Sequence, residues 1–358
     1  MRLLFLLSNP RFAPYSAGKF LIWKKTGFIR INAVHSNQKG EKRLIIKYRT
    51  PPKKLAAYEA LLRRLPEQHP EWGRIMEGLE SVRAGFGGEV HFDGIMDHFS
   101  PAYAHVVLRD LALPGPYWCQ ADTLVITRSC IFLLEVKNMQ GKLYFKSNPA
   151  ALHQVKSDGT LKIHDCPVIQ VRTTMLKIER FMRNAGILLP VIPLIVVAYP
   201  SQVVEQPPAD MRLLAAREVN YHLSKMDLGK ALISEADMLT LGRLLVSAHR
   251  DYDPSPVIRT FKIHPDDVTV GVCCSNCGRF SMEYAARRWK CGSCHAYSTD
   301  AHYQAIDDWF MLLKTDISTR ECQQFLGVKR ADVAKRMLKS FDLAESGSKK
   351  YRRYAKKH

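Results

Sequence analysis

The 358-residue chain carries 53 Lys+Arg against 34 Asp+Glu, a formal net charge of +19, with 46% apolar and 24% charged residues. That length allows two or three domains with a sizeable core, and the composition reads as soluble and globular. No apolar run approaches the roughly 18–20 residues of a membrane span. "MRLLFLL" is too short for a signal-peptide core and no small-residue cleavage site follows it, so a cytoplasmic location is expected.

The charge is unevenly placed. Residues 1–54 hold 13 Lys+Arg against the single acid Glu41, residues 311–358 hold 13 against 5, and residues 55–310 hold 27 against 28. A near-neutral body with two basic ends is the distribution of a polyanion binder. The plainer alternative is a pair of solvated tails that aid solubility.

Residues 1–50 read as a basic extension interrupted by turn residues such as "SNPRFAPYSAG". An α/β region is expected over 51–255. It opens on prolines and an amphipathic helix with Leu55, Tyr58, Leu61, Leu62 and Leu65 at helical spacing. A second helix is expected from Trp72 to Val82, and a third from the glycine-rich "AGFGGEVHFDGIMDHF". Strands follow near 105–109, 121–127, 131–137 and 142–145. "CPVIQVRTTMLKIERFMRNAG" is a helix ending at Gly186, with Val171, Met175, Ile178 and Met182 on one face. "VIPLIVVAYP" is a buried strand by its β-branched content. Two more helices lie between 216 and 250, the second capped by Ser234 with Asp237 three residues on. The alternation gives an α/β core with a mixed sheet flanked by helices.

"IFLLEVKNMQG", residues 131–141, puts Glu135 and Lys137 at the end of an apolar strand. If Arg128-Ser129 form a two-residue hairpin turn, Ile126 faces Ile131 and Asp122 faces Glu135. Lys137 then shares their sheet face by the two-residue period. Opposed carboxylates repel unless a cation lies between them, and Mg²⁺ is commonly held by one or two carboxylates. Lys137 would orient or activate the attacking water. A three-residue turn would instead move Asp122 opposite Val136, and a plain ion pair between Glu135 and Lys137 is the bland reading.

"GFGGE" (Gly85–Glu89), "QAD" ending at Asp122, "EVKN" with Glu135, Lys137 and Asn138, and "CPVIQ" ending at Gln170 together resemble the nuclease-related domain. That family belongs to the PD-(D/E)xK restriction-endonuclease-like fold, and the resemblance covers roughly 80–200. It implies a phosphodiester-hydrolysing site with Asp122 and Glu135 binding Mg²⁺ or Mn²⁺ and Lys137 as the catalytic lysine. Glu89 would touch the metal directly or through water, and Gln170 would lie near the site. The family's Asn-Pro before that glutamine is Cys166-Pro167 here, while Asn148-Pro149 precedes an insertion-like segment.

Five of nine cysteines lie within residues 273–294. Cys274-x2-Cys277 and Cys291-x2-Cys294, thirteen residues apart, predict a closed four-thiolate zinc ribbon over 268–299, with Cys273 and His295 left out. Arg279, Arg287, Arg288 and Lys290 could contact phosphate or form a solvated face. Residues 300–358 read as helices with a capping box at Ser318 and Glu321, then a basic helix from about Arg330 and a hairpin wing carrying Tyr351 and Tyr354. This is the plan of a winged helix-turn-helix, whose second helix enters the DNA major groove. A small protein-interaction unit would look similar. The expected whole is a metal-dependent nuclease acting on nucleic acid, DNA first, with a non-catalytic DNA-binding scaffold or an adaptor for acidic proteins as rivals.

Overall fold

A computed structural model describes residues 43–115, 118–348 and 351–357. Arg43–Lys47, expected within the basic extension, instead form strand β1, and the calls on residues 1–42 lie outside the described residues. Helix α1 (Lys53–Arg64) begins directly after Pro51-Pro52, since proline favours extended backbone at the residue before it. The next element is a 25-residue helix, α2 (Trp72–Met96). It runs unbroken through Gly85, Gly87 and Gly88, where two separate helices were expected, because packing at both ends holds what the glycines alone would weaken.

Strands β2 (His105–Leu113), β3 (Cys119–Ile126) and β4 (Ile131–Lys137) follow as antiparallel neighbours. The β3–β4 register pairs Ile126 with Ile131 and Thr123 with Leu134, as a two-residue turn requires. Thr127 closes that turn, its main-chain N–H (2.9 Å) and hydroxyl (2.8 Å) both donating to the Cys130 carbonyl. Strands β5 (Lys142–Ser147), β6 (Ala150–Val155) and β7 (Leu161–Asp165) account for the insertion-like segment. Helix α3 (Pro167–Asn184) leads to β8 (Val191–Val197), then β9 (Val203–Gln206), β10 (Leu213–Ala215), α4 (Ala216–Lys225) and α5 (Glu235–Ala248). The Ser234–Asp237 capping box is present.

The main sheet has the order β1-β2-β3-β4-β8-β10, with parallel pairs at β1/β2, β4/β8 and β8/β10. Its strands are buried on both faces, hence their Val/Ile/Leu-rich runs. Leu124, Ile131 and Leu133 pack with Val171 and Ile178 of α3 and Leu241 and Leu245 of α5. On the other face Val125, Phe132 and Leu134 meet Phe92 and Met96 of α2 and Val219 and Leu223 of α4. A second sheet, β7-β6-β5-β9, stands beside this three-layer core.

A separate apolar core gathers the remaining elements: α6 (Ile258–Phe261), the ribbon strands β11 (Met282–Ala285), β12 (Arg288–Cys291) and β13 (Tyr297–Ser298), and α7 (His302–Leu312). The chain closes with β14 (Asp316–Ser318), α8 (Thr319–Leu326), α9 (Ala331–Lys339), β15 (Leu343–Ser346) and β16 (Arg353–Lys356). Trp289, Ile306, Phe325, Leu338 and Tyr354 share this core with Tyr58 and Leu61 of α1 and Ile75 and Leu79 of α2. The fully buried Arg64 side chain donates to Asp308 of α7 at 2.7 Å, with Arg63 on the other carboxylate oxygen at 2.8 Å. Removing one partner of such a pair costs about 3–5 kcal/mol, so α1 is firmly held against α7. Helix α2 therefore spans both cores, and α1 belongs with the ribbon and the C-terminal helices rather than with the nuclease-related segment.

Candidate metal centres

The first centre forms at the end of the main sheet where β4 stops. Glu135 and Lys137 lie on the α3-facing side of β4 by the alternation that buries Ile131 and Leu133, while the β3–β4 register ends at Thr123–Leu134, so the expected Asp122–Glu135 ladder pair is not among its partners. Lys137 Nζ donates to Glu135 Oε1 at 2.7 Å and to Gln170 Oε1, on the first turn of α3, at 2.9 Å. The departure at Cys166-Pro167 does not displace Gln170: Pro167 opens α3 and the glutamine lies three residues on. Asp122 Oδ2 accepts the Val136 main-chain N–H at 2.7 Å.

Glu89 arrives from the opposite layer, on α2. The helix can approach because Gly88 has no side chain. A Cβ there would lie 2.5 Å from Cβ of Asn138 and 3.3 Å from that of Ala198. Asn138 then clasps the helix by donating to the Ala84 carbonyl at 2.7 Å. The glycines of "GFGGE" and the asparagine of "EVKN" are thus two halves of one contact.

Two participants were missed in the sequence. Asp93 sits one helical turn beyond Glu89, a spacing that was legible. Arg49 follows β1 in the stretch assigned to the extension, and its side chain is only 2% exposed. Its guanidinium donates to Glu89 Oε2 at 2.6 Å, Asp93 Oδ2 at 2.9 Å and the Asp122 carbonyl at 2.7 Å. Nothing local in "KYRTPP" signals this, because only the sheet pairing of β1 brings Arg49 to the site.

The electrostatics are those of a site short of positive charge. Burial, then the Asp122 carboxylate, pushes Glu89 up to about 8 and Glu135 to about 7; burial raises Asp122 as well. Lys137 is raised too: burial works against its charge, but Glu135 and then Asp122 outweigh it, so it stays an ammonium. Glu135 Oε2 is buried with no hydrogen-bond partner. A buried, unpaired carboxylate oxygen among acids that favour protons fits a divalent cation held by Asp122 and Glu135, with Glu89 close by.

The second centre is the cysteine cluster. The ligand atoms of Cys274, Cys277, Cys291 and Cys294 all lie within 4.8 Å of one another. The Cys274–Cys294 and Cys277–Cys291 sulfurs are each 3.6 Å apart. A tetrahedron with Zn–S bonds of about 2.3 Å has edges of about 3.8 Å, so the sulfurs stand close to a zinc geometry. The Ser281 hydroxyl, 3.1 Å from the Cys291 sulfur, leads the interactions that draw that thiol down to about 5. Cys273 points elsewhere, its sulfur 3.3 Å from the Gly278 carbonyl. Among the described residues the four cysteines are the one group of three or more such ligands gathered this closely.

Residues 84–198 match the family model of the nuclease-related domain. The match covers about a third of the chain and takes in Glu89, Asp122, Glu135, Lys137 and Gln170 but not Arg49. No curated protein and no solved structure matches the chain. The nuclease-related domain thus holds the carboxylate end of α2 and β2 to β8, while the cysteine cluster and everything after it lie outside. No described helix is long and apolar enough to cross a membrane.

In the C-terminal region, Lys335, Arg336 and Lys339 are exposed on α9 while Val333, Met337 and Leu338 are buried. The Ser318–Glu321 capping box is present and Gly327 ends α8 in the left-handed conformation at φ 69°. The β15–β16 hairpin carries Tyr354, which is 1% exposed and belongs to the core, while Tyr351 is 72% exposed.

Proposed function

We propose that the chain is a divalent-metal-dependent nuclease that hydrolyses phosphodiester bonds, with DNA as its principal substrate. One observation carries the reading: Lys137 bridges Glu135 and Gln170 beside a buried Glu135 oxygen without a partner, inside the matched segment. Asp122 and Glu135 would hold Mg²⁺ or Mn²⁺, with Glu89 reaching it directly or through water. The metal supplies Lewis-acid polarisation of the phosphate and lowers the pKa of bound water. Lys137, kept charged by its neighbours, orients the attacking water and stabilises the negative charge that develops on the phosphoryl oxygens. Gln170 fixes the lysine's direction, and Val136 N–H fixes the Asp122 carboxylate.

Zinc at the four cysteines would close the ribbon as a folding element, leaving no open position for chemistry. The order α7-β14-α8-α9-β15-β16, helix, strand, two helices and a hairpin, supports a winged-helix reading. In it α9 offers Lys335, Arg336 and Lys339 to DNA phosphates.

The test is incubation of purified protein with labelled DNA and RNA, with and without Mg²⁺ or Mn²⁺. Divalent-dependent cleavage is expected, and Lys137→Ala or Glu135→Ala should lower it by at least about 10²–10³-fold, the scale of one lost transition-state donor. Unchanged cleavage in both variants would assign the chemistry elsewhere. No cleavage by the wild type, with binding retained, would favour a non-catalytic DNA-binding scaffold.

A further inference from the structure

We propose that the Arg49 guanidinium fills a second cation position in the carboxylate cluster, so that the site accepts a single divalent ion. The proposal rests on reading Asp122 and Glu135 as ligands of that ion. Three oxygens from three separate points converge on the guanidinium: Glu89 Oε2 at 2.6 Å, Asp93 Oδ2 at 2.9 Å and the Asp122 carbonyl at 2.7 Å. Two carboxylates and a main-chain carbonyl are the donor types that hard divalent cations take. With 2% of its side chain exposed, the guanidinium itself occupies the space between these oxygens. Arginine suits this role because its charge is permanent and its planar fork is weakly hydrated.

The charge balance points the same way. Arg49, Lys137 and Arg109 face five carboxylates, Glu89, Asp93, Asp97, Asp122 and Glu135, with Arg109 shared between Asp97 at 2.8 Å and Asp93 at 3.4 Å. With every carboxylate ionised, the state a bound cation favours, two negative charges are left over, the complement of one divalent ion. Arg49 lies ahead of residue 84, so this cation comes from outside the matched domain, carried in by the pairing of β1 with β2.

A purely structural tie between α2 and β3 would not alter how many ions bind. Mn²⁺ titration of the full-length zinc-containing protein, by calorimetry and electron paramagnetic resonance, separates the two. One Mn²⁺ is expected for the wild type and for Arg49→Lys. Arg49→Ala and Arg49→Gln should each bind two, with spin coupling between the ions, and Glu89→Gln added to Arg49→Gln should return the count to one. A wild type that binds no Mn²⁺ overturns the nuclease-site reading itself. One ion in wild type and in both neutral variants, with unchanged folding, overturns the proposal alone, as does a wild type that binds two. Should Arg49→Ala unfold without metal, millimolar Mn²⁺ is expected to refold it with two ions bound, and failure to refold overturns the proposal.

Discussion

At the cysteine cluster four sulfurs from two tight loops converge within 4.8 Å, and two of them, Cys274 and Cys291, are part of an apolar core with Trp289 and Leu338. At the carboxylate cluster the groups come from the segment after β1, α2, β3, β4 and the first turn of α3, with Arg49 and Lys137 set among the acids. The first arrangement offers one kind of ligand in one closed shell. The second is partly neutralised by fixed cations and keeps an unpaired carboxylate oxygen. A closed shell suits folding, whereas an incompletely neutralised one leaves a place for an ion and a reacting phosphate.

The comparison breaks most visibly at the cysteines. Cys291→Ser should abolish the zinc binding proposed for this cluster and unfold the lobe built on that core, since structural zinc contributes on the order of 10 kcal/mol to folding. Elemental analysis and circular dichroism melting check this, with Cys273→Ser expected to retain both metal and fold. For the same reason deleting residues 300–358 is a poor probe of DNA binding: it strips the partners of α1 and α2. Charge-removing substitutions on α9 leave the core intact.

Acid and base should act on the two regions in opposite directions. Glu89 at about 8 and Glu135 at about 7 lie above the ordinary carboxylate value of 4.5, so the fold favours their protonated forms. The stability they contribute is fully present below about 4.5 and is lost progressively as pH rises from there through about 7–8. In magnesium-free buffer the melting temperature is expected to fall over that window, and Mg²⁺ should remove the fall by supplying the missing charge. Glu135→Gln should remove part of it as well. His302 is the reverse case: burial holds it at about 4, below its usual 6.5, while its Nδ1 accepts from Trp289 at 3.2 Å. Its contribution is present above 6.5 and is lost as pH falls toward about 4, whatever the magnesium concentration. Thermal melts from pH 4 to 9, with Trp289 fluorescence reporting the ribbon lobe, test both signs.

The smallest effect sharpens how α2 serves both regions. Gly88→Ala would press a Cβ against Asn138 and force the helix away from β4, costing about 1–3 kcal/mol and weakening divalent binding. Gly85→Ala meets nothing within 4 Å and should stabilise the helix by about 0.5–1 kcal/mol. Chemical denaturation of both variants, with Mn²⁺ titration of the first, measures the contrast.

Local pattern determined much of this protein. The β3–β4 hairpin followed from two apolar runs around Arg128-Ser129, the α5 and α8 caps from Ser234 and Ser318, and the four-thiol cluster from two matched cysteine pairs. In each case the deciding residues are neighbours in the chain or share a fixed period. The same holds for Glu135 and Lys137, two residues apart on one strand. Tertiary structure alone decided where the ends go. Arg49 entered the carboxylate cluster because β1 pairs with β2 some sixty residues on, and Tyr354 is buried because β16 packs into a core it shares with α1. The glycines of "GFGGE" read as a helix start but lie inside α2, since packing against two cores outweighs their low helix propensity. Short-range propensities are written in a few adjacent residues, whereas the burial that overrides them depends on segments the chain brings together only once it has folded.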